Sequence, residues 1–266
     1  MSQVFRIAMN EFSLVIRSPM VYLFGILMLV LACTTAMEAS TVVPRMTDMG
    51  RTAAVLLYGT GNPFFLTSML FMFVATCLGV MSTSNDRSRG TLRVLITKPL
   101  YRRDIVLGKT LGIGLVLFLL AMLTEAFIVS LLLVFVGSPG SVGELILRAG
   151  TFAILLFTGS MFTLTLVMLI GIVLNKAEAL VLAGCYISFE WLAPSFISEY
   201  LPDSLSIINP LNLYIEATRS VSNDLFVSVI SYDVWLSNAA PYIVLLLAEI
   251  VVLVLINCVA INKVES

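Results

Sequence analysis

Ser82-STSNDRSRGTLRVLITKPLYRRDIVLGK-Lys109 is the stretch that decides how this chain is read. It lies between two long apolar runs and carries Arg87, Arg89, Arg93, Lys98, Arg102, Arg103 and Lys109 against only Asp86 and Asp104. A short, strongly basic loop between membrane segments stays on the cytoplasmic side. It also has the signals of a short helix. Asp86 or Ser88 can cap its start, Pro99 stops it after Lys98, and Leu92, Leu95 and Ile96 share one face. Asp104 then falls near the start of the next helix, where a carboxylate favours the dipole.

Working outward, the rest of the chain is a membrane protein. Of 266 residues, 59% are hydrophobic and 12% charged, with a mean hydropathy of +1.05. Soluble domains carry about 25% charged residues. The apolar runs predict an all-α membrane fold of six spans in a single transmembrane domain over residues 1–266. They cover Met20 to Met37, Pro63 to Thr83, Leu111 to Val136, Ala149 to Leu174, Ala179 to Glu190 and Ala240 to Ile261. The fifth run is shorter than the ~20 residues a single spanning helix needs. Pro194 interrupts its continuation, which predicts two short helices with the second re-entrant or interfacial. Residues 38–62 read as an external loop. Residues 191–238 read as an external segment, with a helix starting at Asn209–Pro210 and running over Leu211 to Val221.

Residues 3–17 alternate on a helical period. Gln3, Arg6, Asn10, Ser13 and Arg17 form a polar stripe, with Phe5, Met9, Phe12, Val15 and Ile16 opposite. That pattern describes an amphipathic helix lying in the interface over residues 1–18, with no cleavable leader. Gly108, Gly112 and Gly114 open the third span with spacing that lets helix backbones approach closely.

Charge sets the orientation. With both termini inside, eleven of the 15 Lys and Arg residues are cytoplasmic, and Arg45, Arg51, Arg148 and Arg219 are outside. Cys33, Cys77, Cys185 and Cys258 all sit in apolar runs and read as packing residues. The chain has no histidine, which excludes Ser-His hydrolysis and His-based zinc sites. Gly108-Lys109-Thr110 imitates the end of a nucleotide-binding P-loop. Arg103 stands where its first glycine belongs, however, and a membrane helix follows. Glu125 and Glu249 interrupt the third and sixth spans at mid-depth, where a charge costs about 2.5–3.5 kcal/mol on insertion scales. Two readings stand for them: contacts in a translocation pathway, or neutral packing residues. Glu190 and Trp191 read as an interfacial anchor.

The residues around Arg89-Gly90-Thr91-Leu92, Thr97-Lys98-Pro99-Leu100 and Arg102-Arg103-Asp104-Ile105-Val106-Leu107-Gly108-Lys109 resemble the ABC-2 family, the membrane subunits of exporter-like ABC transporters. The resemblance implies that residues 84–109 form the cytoplasmic coupling loop. Asp86, Arg89, Gly90, Leu92, Leu95, Ile96 and Pro99 would then belong to the coupling helix that docks on an ATPase. It implies an N-terminal elbow helix and outer re-entrant helices after the fifth span. ATP and magnesium would be bound on a separate ATPase subunit, with no catalytic, cofactor or metal residue on this chain. A second membrane subunit, a copy or close relative, would complete the transporter. At position 93 this chain has Arg where members often carry Glu. Outside that family, the pattern fits a six-span channel or membrane enzyme, although no span shows a polar pore-lining stripe.

Overall fold

The computed structural model describes residues 3–48, 63–88, 102–136, 142–192, 208–220, 224–226 and 230–263. Among these, the chain is all-α, with eight helices: α1 Gln3–Ile16, α2 Pro19–Asp48, α3 Phe64–Ser88, α4 Arg102–Val136, α5 Val142–Val173, α6 Lys176–Leu192, α7 Pro210–Arg219 and α8 Tyr232–Lys263. Five of them, α2, α3, α4, α5 and α8, are long and apolar enough to cross a membrane.

Several helices overrun the apolar runs that announce them. α2 continues through residues expected to form a loop, as far as Asp48. α4 starts at Arg102, α5 at Val142 and α8 at Tyr232, each one to three turns early. Hydropathy marks membrane depth, whereas a helix persists as long as its backbone bonds remain satisfied. α6 has 17 residues. At 1.5 Å per residue it extends only about 26 Å, short of a ~30 Å hydrocarbon core. The second short helix expected around Pro194 lies outside the described residues.

α5 is the hub and the most buried of the long helices; it packs against α3, α4, α6, α7 and α8. α2 leans on α4, and α1 also packs chiefly on α4. α8 is peripheral. Its fully buried positions, Trp235, Ala239, Leu246 and Asn257, lie along one narrow stripe, and its exposed positions from Val244 to Val259 are all apolar. Lipid is as apolar as leucine, so the helices are held by close fit and polar contacts more than by hydrophobic burial. Gly79 shows the fit: a Cβ there would meet Leu164 and Val167 of α5 at 3.3 Å.

At the end of the bundle far from the basic loop, an aromatic core joins four helices. Phe64 stacks on Tyr214 at 5.8 Å, Phe65 meets Trp191 edge-on at 5.0 Å, and Phe152 meets Phe226 at 5.1 Å. Trp191 is 2% exposed and donates its indole N–H to Met72 Sδ at 3.2 Å. It is a core residue and not the interfacial anchor expected from its position at the end of an apolar run. The start of α7 agrees with the sequence: Asn209 accepts a hydrogen bond from the Leu211 amide at 3.0 Å, and Pro210 follows it.

Candidate functional site

The base of the basic loop is built from three helices around one cation. Lys109 is two turns inside α4 and buried. Its ammonium lies 3.0 Å from Glu11 Oε1 on α1, 3.0 Å from Ser82 Oγ and 3.1 Å from the Ser82 carbonyl on α3. An ammonium has three protons, and these partners accept them in a place largely shut to water. α1 can come this close because α4 offers glycine on that side. A Cβ on Gly108 would stand 2.6 Å from Ile7 Cβ, and one on Gly112 would stand 2.5 Å from the Ala8 carbonyl oxygen. On α5, a Cβ on Gly171 would overlap Thr83 of α3. Four helices therefore converge where the loop leaves and re-enters the bundle.

α3 runs to Ser88 and α4 begins at Arg102, so both ends of the segment expected as the 84–109 loop are helical. Asp86 and Ser88 belong to the end of α3, so Asp86 does not cap a new helix; Asp104 does sit in the first turn of α4. On α1, the docked face is Val4, Ile7, Ala8, Glu11, Phe12 and Val15, while Phe5 and Met9 are exposed. The expected apolar stripe is thus split between α4 and the surroundings. Arg89, Gly90, Leu92, Leu95, Ile96 and Pro99 lie outside the described residues.

The chain matches the family model described as ABC-2 family transporter protein over residues 5–264. It belongs to that family. No curated protein matches the chain in sequence. The protein is thus a membrane permease subunit of an ABC-2 transporter, and ATP hydrolysis lies in a separate subunit.

Inside the permease the two mid-span acids occupy different surroundings. Glu125 on α4 is 3% exposed, and neither carboxyl oxygen has a hydrogen-bond partner among the described residues. It lies within electrostatic reach of Tyr214, whose hydroxyl pairs with Ser68 Oγ at 2.7 Å. Thr67, beside Ser68, is also buried, and its hydroxyl has no partner among the described residues. Glu249 sits half-buried on α8, with Oε2 enclosed and without a partner among the described residues, within electrostatic reach of Tyr186. Buried polar atoms are nearly always satisfied, so these oxygens are exceptions among the described residues.

At the far end of the permease, Arg148 is fully buried near the start of α5. It donates to Glu144 Oε1 at 3.0 and 2.7 Å, to the Leu225 carbonyl at 2.7 Å and to the Ile230 carbonyl at 2.5 Å. Arg219 and Asp224 pair at 3.4 Å beside it. Burial pushes the Asp224 carboxyl up, opposed by the Phe226 amide and by Arg219. The sequence showed Arg148 only as a loop charge, and Glu11 not at all. A usable signal was there for Glu11: it is the sole acid between Met1 and Met37, on a helix facing two glycines four apart.

Proposed function

We propose that this permease is the membrane half of an exporter-like pump that works as a pair of membrane chains with a pair of ATPase chains. The chain forms one membrane domain of six spans with both termini cytoplasmic. α6 and the residues after it make the fifth crossing and its outer re-entrant turn, and α1 is the elbow helix at the cytoplasmic surface. Residues 86–98 are the coupling segment: Leu92, Leu95 and Ile96 seat on the ATPase, flanked by Asp86, Arg89, Gly90 and Pro99. ATP-driven closure of the ATPase pair pushes on that segment and tilts the helices between inward- and outward-facing states. Glu125 and Glu249 line the path taken by the cargo.

The Lys109 junction carries this reading. A push delivered between residues 89 and 101 enters α3 and α4 on either side of one buried ammonium, which also holds α1. Such a joint moves three helices as one body. Co-expression with an ABC ATPase partner and purification in detergent tests the assembly: two membrane chains and two ATPase chains are expected per particle. A stable, active complex with a single membrane chain contradicts it.

A further inference from the structure

The first helix turns one side to α4 and two sides outward. Val4, Ile7, Ala8 and Glu11 meet the glycine seam of α4. Phe5, Met9 and Ile16 are exposed. They are four and seven residues apart, so they share one line along the helix. Arg6 and Asn10 are exposed as well, as is Arg17 immediately past the last turn. These three continue a second line, about 100° round from the first. Eleven residues separate the two arginines, which sets them about 16 Å apart along the axis.

The outward charge is of one sign. Glu11 is the sole acid between Met1 and Met37, and it is turned inward, 3.0 Å from Lys109 Nζ. The chain then turns at Ser18, whose amide donates to the Val15 carbonyl at 2.9 Å. α2 leaves from Pro19 with Met20, Tyr22, Leu23 and Ile26 exposed. Arg17 therefore stands at the elbow where a polar surrounding gives way to an apolar one. Tyr22 follows a little over one turn later, as aromatic rings do at a membrane boundary. An apolar line beside a cationic line suits a helix lying in that boundary, its apolar side among acyl chains and its cations among phosphates. A water-borne protein partner would leave Phe5, Met9 and Ile16 without a role. A zwitterionic surface would receive them but offer the two guanidinium groups no net charge.

We infer that the outward side of α1 is a docking surface for acidic phospholipid. Arg6 and Arg17 take headgroup phosphates, for which the guanidinium fork is shaped, and Phe5, Met9 and Ile16 enter among the acyl chains. The inference rests on the reading of α1 as a helix at the cytoplasmic surface and adds the lipid class that the helix selects. Because Glu11 binds Lys109, which also holds Ser82, the lipid fastens the base of the basic loop to the membrane surface.

The test reconstitutes the purified full-length chain into phosphatidylcholine vesicles. They contain a trace of either a phosphatidylglycerol or a phosphatidylcholine probe with the same diazirine-bearing acyl chain. After irradiation, mass spectrometry of the peptides locates the cross-links. A basic residue near an anionic lipid contributes about fivefold in binding. The phosphatidylglycerol probe is accordingly expected to label residues 3–17 at least about tenfold more than the phosphatidylcholine probe. The exposed face of α8 from Val244 to Val259 should label equally from both and serves as the internal reference. Arg6→Gln and Arg17→Gln should each reduce the preference on α1 by about threefold or more, and the double variant should abolish it, with the α8 label unchanged. Lys176→Gln, which removes an exposed cation at the start of α6, is the control and should keep the full preference on α1. Equal labelling of α1 by the two probes overturns the proposal, as does absence of label on α1 or a preference that survives in the double variant. A preference lost equally in Lys176→Gln also overturns it, since any surface cation would then serve. If the double variant does not reconstitute, the single variants and the two-probe comparison on the parent chain still decide. No ATPase is present, so failure here is separate from failure of the permease assembly, which the stoichiometry measurement reports.

Discussion

Lys109 Nζ and Glu11 Oε1 lie 3.0 Å apart with side chains only 8% and 14% exposed, although 98 positions separate them in the chain. An ion pair this enclosed is asymmetric in its energetics. Breaking it from one side strands a charge and costs about 3–5 kcal/mol, whereas replacing both partners with apolar groups can be nearly neutral. Lys109→Met and Glu11→Leu should therefore each lower the thermal midpoint of the purified chain clearly, and the double variant should recover most of the loss. Additive losses in the double variant would show that the two residues act independently. The double variant should also keep its fold while losing the joint that ties α1 to the loop.

The glycine seam makes a second prediction. Gly112→Ala places a methyl group 2.5 Å from the Ala8 carbonyl oxygen, and backbone cannot step aside as a flexible side chain can. α1 should lift from α4, and tryptic cleavage at Arg6 and Arg17 should quicken several-fold. Gly25→Ala on α2, where nothing stands within 4 Å, is the matched control and should leave cleavage unchanged.

Arg148 predicts a third outcome. Its planar fork satisfies two carbonyls and a carboxylate at once, and a hydrogen bond to a charged group contributes about 1.5–3 kcal/mol. Arg148→Met should release the segment around Leu225 and Ile230, measured as faster proteolysis between residues 220 and 232 and a lower thermal midpoint. Arg148→Lys should rescue only part of this, because one ammonium cannot reproduce the fork. Equal behaviour of Lys and Met would still fit a clasp. Full stability of Met would not.

How far the sequence alone reached follows from the range of each signal. The start of α7 is written locally in Asn209 and Pro210, and it was legible. The long helices were legible from apolar length, with ends misplaced by one to three turns because the surface portions of a helix carry no hydropathy mark. The face of α1 that docks on α4 was not legible, because an amphipathic pattern distinguishes two surroundings, while this helix has three: α4, the apolar outside and the polar outside. Glu11 was invisible as a contact because Lys109 is 98 positions away, and the burial of Arg148 was invisible because the Leu225 and Ile230 carbonyls are 77 and 82 positions away, Glu144 alone being a local partner. Trp191 was misplaced for a similar reason: its burial depends on Phe65 and Met72, which sequence order does not put beside it. Glu125 and Glu249 were legible as exceptions to an apolar rule, but not their separate neighbours, Tyr214 and Tyr186.

Orientation gives a fourth prediction. Single cysteines at Ser138 and Asn223, in a chain stripped of its own four, should react with a membrane-impermeant thiol reagent applied to intact cells. One at Ser88 should react only after permeabilisation. Labelling of the Ser88 position from outside would reverse the topology and remove the coupling loop from the ATPase side.

The central claim is that residues 86–98 transmit force from an ATPase, and the variant Leu95→Asp tests it most directly. Burying a leucine-sized side chain in an aqueous docking groove is worth roughly 1.5–3 kcal/mol, while a single exposed ion pair contributes about 0–1 kcal/mol. Recovery of the ATPase on the tagged permease should accordingly fall at least about tenfold for Leu95→Asp and little for Arg89→Ala, with membrane yield unchanged in both. Normal ATPase recovery and normal transport by Leu95→Asp would contradict the account.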